Sequence, residues 1–253
     1  MIQMLRLLLL LSGILMLSAN PVSAQFEGDI RFEISNPLSS GNEVRNMSIA
    51  FSDAGIFINS DLSMNLMAGL RAQGVLVRHD LNDFIILTDD NEGLKVEKDE
   101  LDSMIMLVNR MQGKNPKARP EPFPWEEKVR ESGRTRTIQG YEAVEFILDG
   151  DGEKNEKVSV WLTDQIRVRW GVLQDAWHTA GASQFENEVP IEMVMNNSSF
   201  PLLIEVIRDE NVIYRAEAVH VESPLRNRKI TELPPHIKVI GFTDLMMNIF
   251  RQQ

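Results

Sequence analysis

The chain has 253 residues, with 37 acidic and 26 basic side chains and a formal net charge of −11. A balance this acidic argues against nucleic acid as a partner, because phosphate binding is driven by Lys and Arg releasing counterions. With no cysteine at all, a disulfide framework, a thiolate zinc site and a thiol nucleophile are excluded.

Residues 1–24 carry one charge, Arg6, followed by an apolar run from Leu7 to Leu17. Ser18-Ala19-Asn20-Pro21 breaks that run, and Val22-Ser23-Ala24 offers small residues before a cleavage point. This layout predicts a secretory signal peptide at 1–24, cut after Ala24. The apolar run is short for a membrane span of about 20 residues. No later stretch approaches a spanning length, so no transmembrane anchor is expected after cleavage. A periplasmic or secreted product of one domain, 25–253, is therefore expected.

The first strand is the clearest. Phe26, Gly28, Ile30, Phe32 and Ile34 alternate with Glu27, Asp29, Arg31, Glu33 and Ser35, the period of a half-buried antiparallel strand. A second strand is expected over Val44–Phe51 and a third over Ile56–Asn59, across the turn Asp53-Ala54-Gly55. Leu62, Leu66, Met67 and Leu70 have helical spacing, weakened by Gly69. Short β runs follow at Val75–Arg78, Phe84–Thr88 and Leu94–Glu97. Asp99 then caps the best helix, with Leu101, Met104, Ile105, Val108 and Met111 on one face and Gly113 as a stop. Pro116, Pro120, Pro122 and Pro124 mark an extended connector.

Strands resume at Thr135–Ile138 and, past the turn Gln139-Gly140, at Tyr141–Leu148. In the second of these, Val144, Phe146 and Leu148 are the expected core face. Val158, Val160 and Leu162 continue the pattern. Asp164 is read as the cap of a helix bearing Ile166, Trp170, Leu173 and Trp177. Leu202–Arg208 and Val212–Val221 form a hairpin across Asp209-Glu210-Asn211. Phe242, Leu245, Met246, Ile249 and Phe250 give a short amphipathic tail helix. Strands joined by short turns are antiparallel, and no βαβ rhythm is present.

The stretch Thr135-Arg136-Thr137-Ile138-Gln139-Gly140-Tyr141, ending at Phe146, and the later Val158-Ser159-Val160-Trp161-Leu162-Thr163 carry a family resemblance. Together they resemble the motifs of secreted bacterial proteins of domain of unknown function family 4412. Phe26-Glu27-Gly28-Asp29-Ile30 and the exit Leu233-Pro234-Pro235 resemble the ends of that pattern. The resemblance implies a fold similar to periplasmic lipoprotein carriers. The expected class is thus α+β: a strongly curved antiparallel half-barrel of about ten strands, with two or three helices over its open face.

Chemistry is sparse. His79, His178, His220 and His236 form no paired metal spacing, and His220-Val221-Glu222 reads as exposed strand polars. Gly181-Ala182-Ser183-Gln184-Phe185 lacks the last glycine of a nucleophile elbow. Asp149-Gly150-Asp151-Gly152-Glu153 departs from a calcium loop at its sixth and twelfth positions and reads as a hairpin turn. Arg130, Arg134 and Arg136 read as a solvated strand face. No enzyme, cofactor or metal is expected.

The positive signal is apolar. Ten of the thirteen methionines lie after residue 24, and methionine suits surfaces that adapt to varied apolar partners. Either they fill an ordinary core, or they line a cavity for an acyl chain or another apolar small molecule. In the second case the expected contacts are Met104, Ile105, Val108, Trp170 and Trp177. The other function expected from the sequence is a cell-envelope module with a self-filled hollow and a protein partner.

Overall fold

The computed structural model describes residues 25–37, 44–65, 71–88, 91–100, 125–149, 156–174 and 191–241, with 103, 106, 110, 243 and 244. The expected signal peptide, the proline-rich connector, the turn expected at 150–152 and most of the expected tail helix lie outside the described residues.

Twelve strands build one sheet. Its first half is a meander of β1 (Gly28–Ser35), β2 (Val44–Phe51), β3 (Gly55–Asn65), β4 (Arg71–Arg78), β5 (Asp83–Thr88) and β6 (Glu92–Glu97). Its second half is β7 (Val129–Ile138), β8 (Tyr141–Asp149), β9 (Glu156–Thr163), β10 (Phe200–Arg208) and β11 (Asn211–Glu222). The halves join where β11 pairs with β1, so the first strand of the chain is central. β12 (Lys238–Gly241) adds to β6 as the parallel pair of an otherwise antiparallel sheet. Among the described residues the sheet does not close, and β7 and β12 are its two edges.

Register explains the core. Ile30 faces Ile49, Ile49 faces Ile58, and Ile58 faces Val75. One strand position along, Phe51, Ile56, Val77 and Phe84 stand in a row. The period of two read from the sequence therefore lines up across strands into one apolar face. The sheet bends toward that face. At about 4.8 Å per strand, β2 and β10 would stand about 14 Å apart in a flat sheet. Yet the rings of Phe51 and Phe200 lie 5.7 Å apart. A second cluster, Val158, Val160, Leu162, Met193, Ile204, Val206 and Ala216, packs over β9 to β11.

The α+β expectation is corrected. The described residues are nearly all β, with twelve strands rather than about ten, and no described helix forms a layer over an open face. The helices with defined bounds, Trp125–Lys128 and Ile191–Val194, are four residues each. Residues 98–100, 103, 106 and 110 are also helical, in the stretch expected to follow Asp99. Two helical readings are overturned over part of their length, Leu66, Met67 and Leu70 lying outside the described residues. Leu62 and its neighbours continue β3, and Arg71 to Gln73 begin β4. In the 164–174 segment, residues 166–170 carry no regular secondary structure, Gly171 is a turn, and 172–174 are helical. Along it Ile166, Val168, Trp170 and Val172 are buried while Arg167 and Arg169 are exposed. Ile166 and Trp170 satisfy helical spacing, but the alternating Val168 and Arg pair satisfies a period of two as well, and packing on the sheet decides.

In β8 the better-buried face is also not the expected one. Ala143, Glu145 and Ile147 are buried, whereas Val144, Phe146 and Leu148 are half-buried. An acid at position 145 makes that face look wet in sequence.

The β10–β11 turn places Asp209 at φ 48° and Glu210 at φ 66°. Two successive residues of positive φ make the hairpin turn whose twist matches the flanking strands. Asp tolerates that region, but Glu is strained there by about 1–2 kcal/mol. Glu210→Gly removes the strain and returns about 0.5–1 kcal/mol to unfolded-state entropy. The expected outcome is a net stabilisation of about 0.5–1 kcal/mol in urea unfolding.

Candidate functional site

Of the five residues expected to line a cavity, Trp170 is described. It is 2% exposed. Its ring stacks on Phe200 at 6.0 Å and 8°, and meets Phe51 edge-on at 5.7 Å. Its indole N–H donates to the Asn196 carbonyl at 3.2 Å. Phe26 closes the cluster against Phe51 at 6.0 Å. Gly28 makes room for it: a Cβ there would lie 2.5 Å from the Phe26 ring and 2.2 Å from the Glu222 carbonyl oxygen. Met104, Ile105, Val108 and Trp177 lie outside the described residues. Met193 is buried in the second cluster, and Met195 is half-buried against the first.

The described groove of about 410 Å³ is on the opposite side of β1–β3 from Ile30 and Phe32. Arg31, Glu33, Asn46, Ser48, Asn59 and Asp61 line it, and cross-strand register puts Arg31, Ser48 and Asn59 in one row. Asn46 donates to Asp61 from its backbone N–H at 3.1 Å and its amide at 2.8 Å. Met47 and Val219 also line it, so the groove is mixed in character, and it has no aromatic wall.

A polar stripe runs onward across the second half of the sheet. Glu33 lies opposite Glu217, and Arg215 donates to Glu217 at 2.7 Å and to Glu205 at 2.6 Å. Glu205 lies opposite Ser159. The Ser159 hydroxyl donates to Glu145 at 2.6 Å. Arg134 grips the same carboxylate in a fork, with Nε donating at 2.5 Å and Nη2 bonding the other oxygen. The guanidinium stands 5.8 Å from the Trp161 ring. Burial pushes the Glu145 carboxyl up, but hydrogen bonds from Ser132, Ser159 and Arg134 outweigh it and hold the carboxyl below its ordinary range. A buried carboxylate so fully engaged is a structural ion pair rather than a poised acid or base.

β7, the strand that carries Arg134, is the outermost of the second half. From Arg130 to Thr137 it is exposed except at Ser132, and no described strand pairs with its outer side. Arg130 pairs with Asp149 at 3.2 Å, while Arg136 has no ion-pair partner among the described residues. Among the described residues, no three His, Asp or Glu side chains converge in a metal-binding group. His220 and Glu222 lie near Asp29, whose carboxyl burial holds above its ordinary range. The arginines of β7 stand out in the sequence as a cluster, whereas Glu145 carries no such signal and reads as a surface acid.

No family model matches the chain, so the resemblance to family 4412 is carried no further, and no curated protein matches it. Solved structures align over most of it. One is an uncharacterized conserved protein from Thermus thermophilus, at 6% identity and a TM-score of 0.40, covering 85% of this chain and 91% of that one. Another is the Pseudomonas aeruginosa MucA/MucB complex, at 9% identity and 0.39, covering 86% of this chain and 59% of that one. A third is a putative outer membrane lipoprotein-sorting protein domain from Vibrio parahaemolyticus, at 9% and 0.28, covering 81% and 89%. At these scores the alignments carry no argument about this chain.

Two measurements test the site's energetics. Trp170→Ala is expected to cost about 3–5 kcal/mol in chemical unfolding, the range for a large aromatic removed from a packed core. Arg134→Ala leaves the Glu145 carboxylate buried without its fork, at a cost of about 1.5–3 kcal/mol at pH 7. That cost is expected to shrink toward pH 4, where the orphaned carboxyl takes up a proton, so unfolding at both pH values checks it.

Proposed function

We propose that the protein is an exported, non-enzymatic interaction module that takes an extended segment of an envelope protein along the outer edge of β7. The observation that carries this reading is the exposure of that ten-residue edge strand. Unpaired N–H and C=O groups along an edge are a template for another strand. Main-chain hydrogen bonds then supply affinity, and alternate side chains supply selectivity. The irregular stretch between Glu131 and Thr135 restricts regular pairing on β8, leaving Thr135–Ile138 as the straight part. Arg136 on that part, with no ion-pair partner among the described residues, selects an acidic side chain on the partner segment.

The competing reading is a carrier that holds an acyl chain against Met104, Ile105, Val108, Trp170 and Trp177. A carrier needs a hollow, and the described core face is filled by Phe26, Phe51, Trp170 and Phe200. The non-enzymatic reading is supported by Glu145, the best-buried carboxylate described, being locked in a fork. Export is supported by the segment 1–24.

A photo-crosslinking residue placed at Thr137 in the producing cells is expected to give one dominant envelope-protein adduct. The same residue at Asp61, in the groove, should give none. Arg136→Glu should weaken binding of the captured partner by roughly fivefold to tenfold, about 1 kcal/mol or slightly more. Stoichiometric lipid in a solvent extract of the purified protein, with no adduct at Thr137, overturns the reading in favour of the carrier.

A further inference from the structure

His79 follows β4, and its backbone N–H donates to the Ala54 carbonyl at 3.0 Å. Both of its ring nitrogens are buried and neither has a hydrogen-bond partner. A neutral imidazole needs one acceptor and one donor for its two nitrogens. A protonated one needs two acceptors and hides a charge, which is far more costly. The ring is covered by the 164–174 segment. Gly171 sits there at φ 61°, and a Cβ on it would lie 2.8 Å from Nδ1 and 3.1 Å from Cε1. The same segment carries Val168, Trp170 and Val172 into the core.

The segment is held by side chains more than by backbone. Among the described residues, its backbone tie to the start of β1 is the Phe26 N–H donating to the Arg167 carbonyl at 2.8 Å. Segments with few backbone ties open at lower free energy than the strands beneath them.

The geometry points to the 164–174 segment as a latch that acid releases, with His79 beneath Gly171 as the group that releases it. Two charged groups act on the ring. Arg169 comes from the segment itself, and Asp80 from the turn that holds His79. Beside them, Arg78 is already committed to Asp83 through a fork at 2.8 and 2.5 Å. From the β2–β3 turn that packs on the His79 backbone, Asp53 is exposed to solvent. Burial, and then Arg169, hold the imidazole below its ordinary value of 6.5, while Asp80 works the other way. The sign follows. With the segment docked, His79 takes its proton at lower pH than with the segment released. Docking is therefore fully stable above about 6.5 and weakens as pH falls below it. Release frees Trp170 from Phe51 and Phe200 and bares that aromatic face.

Amide hydrogen exchange on the full chain at pH 7.5 and 5.5, corrected for intrinsic rates, tests this. The opening constant of amides 167–172 is expected to rise by up to about tenfold for each pH unit between the two pKa values, while β1 and β2 stay protected. His79→Leu and His79→Gln are each expected to flatten that rise, and either suffices where the other folds poorly. Arg169→Gln is expected to make it shallower. The proposal is overturned by an equal acid-induced rise in the His79 variants, by no rise in the native chain, or by loss of protection spread evenly over the sheet. An imidazole titrating at its ordinary value in a folded-state NMR titration also overturns it.

Discussion

An open sheet of twelve strands must hide its concave face against something, and here that is the ring of Trp170 stacked on Phe200. The contact joins the two halves of the molecule. Phe51 comes from the first meander, Phe200 from the second, and Trp170 arrives from neither sheet half but from the segment after β9. Rings within 6 Å gain area burial and about 0.5–1.5 kcal/mol of specific geometry each. The bend of the sheet is tied to them, because a flatter sheet would pull Phe51 and Phe200 apart. Filling the hollow from within gives a firm scaffold, and the same filling leaves less room for a guest.

With the described concave side committed to packing, the proposed interaction rests on the β7 edge. The stripe from Arg134 through Glu145, Ser159, Glu205, Arg215 and Glu217 spans β7 to β11 by alternating donors and acceptors across neighbouring strands. Opposite charges across strands stabilise and like charges directly opposite destabilise. Glu217 opposite Glu33 would be of the second kind, and Arg215 beside Glu217 offsets it. The stripe thus stiffens the second half up to its last strand. A stiff β8 behind β7 presents the outer edge in a fixed geometry, and on the proposed reading this lowers the entropy lost on strand addition.

Much of the sheet was legible in the sequence because its information is local. Period two in Phe26–Ile34 placed β1, and turns such as Gln139-Gly140 and Asp209-Glu210 placed the hairpins. What failed depended on contacts distant in sequence. The 164–174 segment satisfies helical and extended spacing alike, and only the waiting faces of Phe51 and Phe200 choose between them. The face of β8 was misread because Glu145 is buried by Arg134 and Ser159, neither adjacent to it in the chain. His79 carried no signal at all, since its burial comes from Gly171, far along the chain. The lining expected from Met104, Ile105, Val108 and Trp177 belongs to residues outside those described.

His79 and Glu145 act in different pH windows, and this orders how their two neighbourhoods respond to acid. His79 has a depressed affinity for its proton, so its neighbourhood loses stability as pH falls below about 6.5. Glu145 also binds its proton weakly, but as a carboxylate. The stability it contributes is present above its unfolded value of 4.5 and is lost only as pH falls through its lower folded value. Mild acid therefore loosens the segment over the core while the Arg134–Glu145 fork still ties β7 to β8. Under this ordering the outer edge of β7 keeps its geometry at a pH where the aromatic face has begun to open.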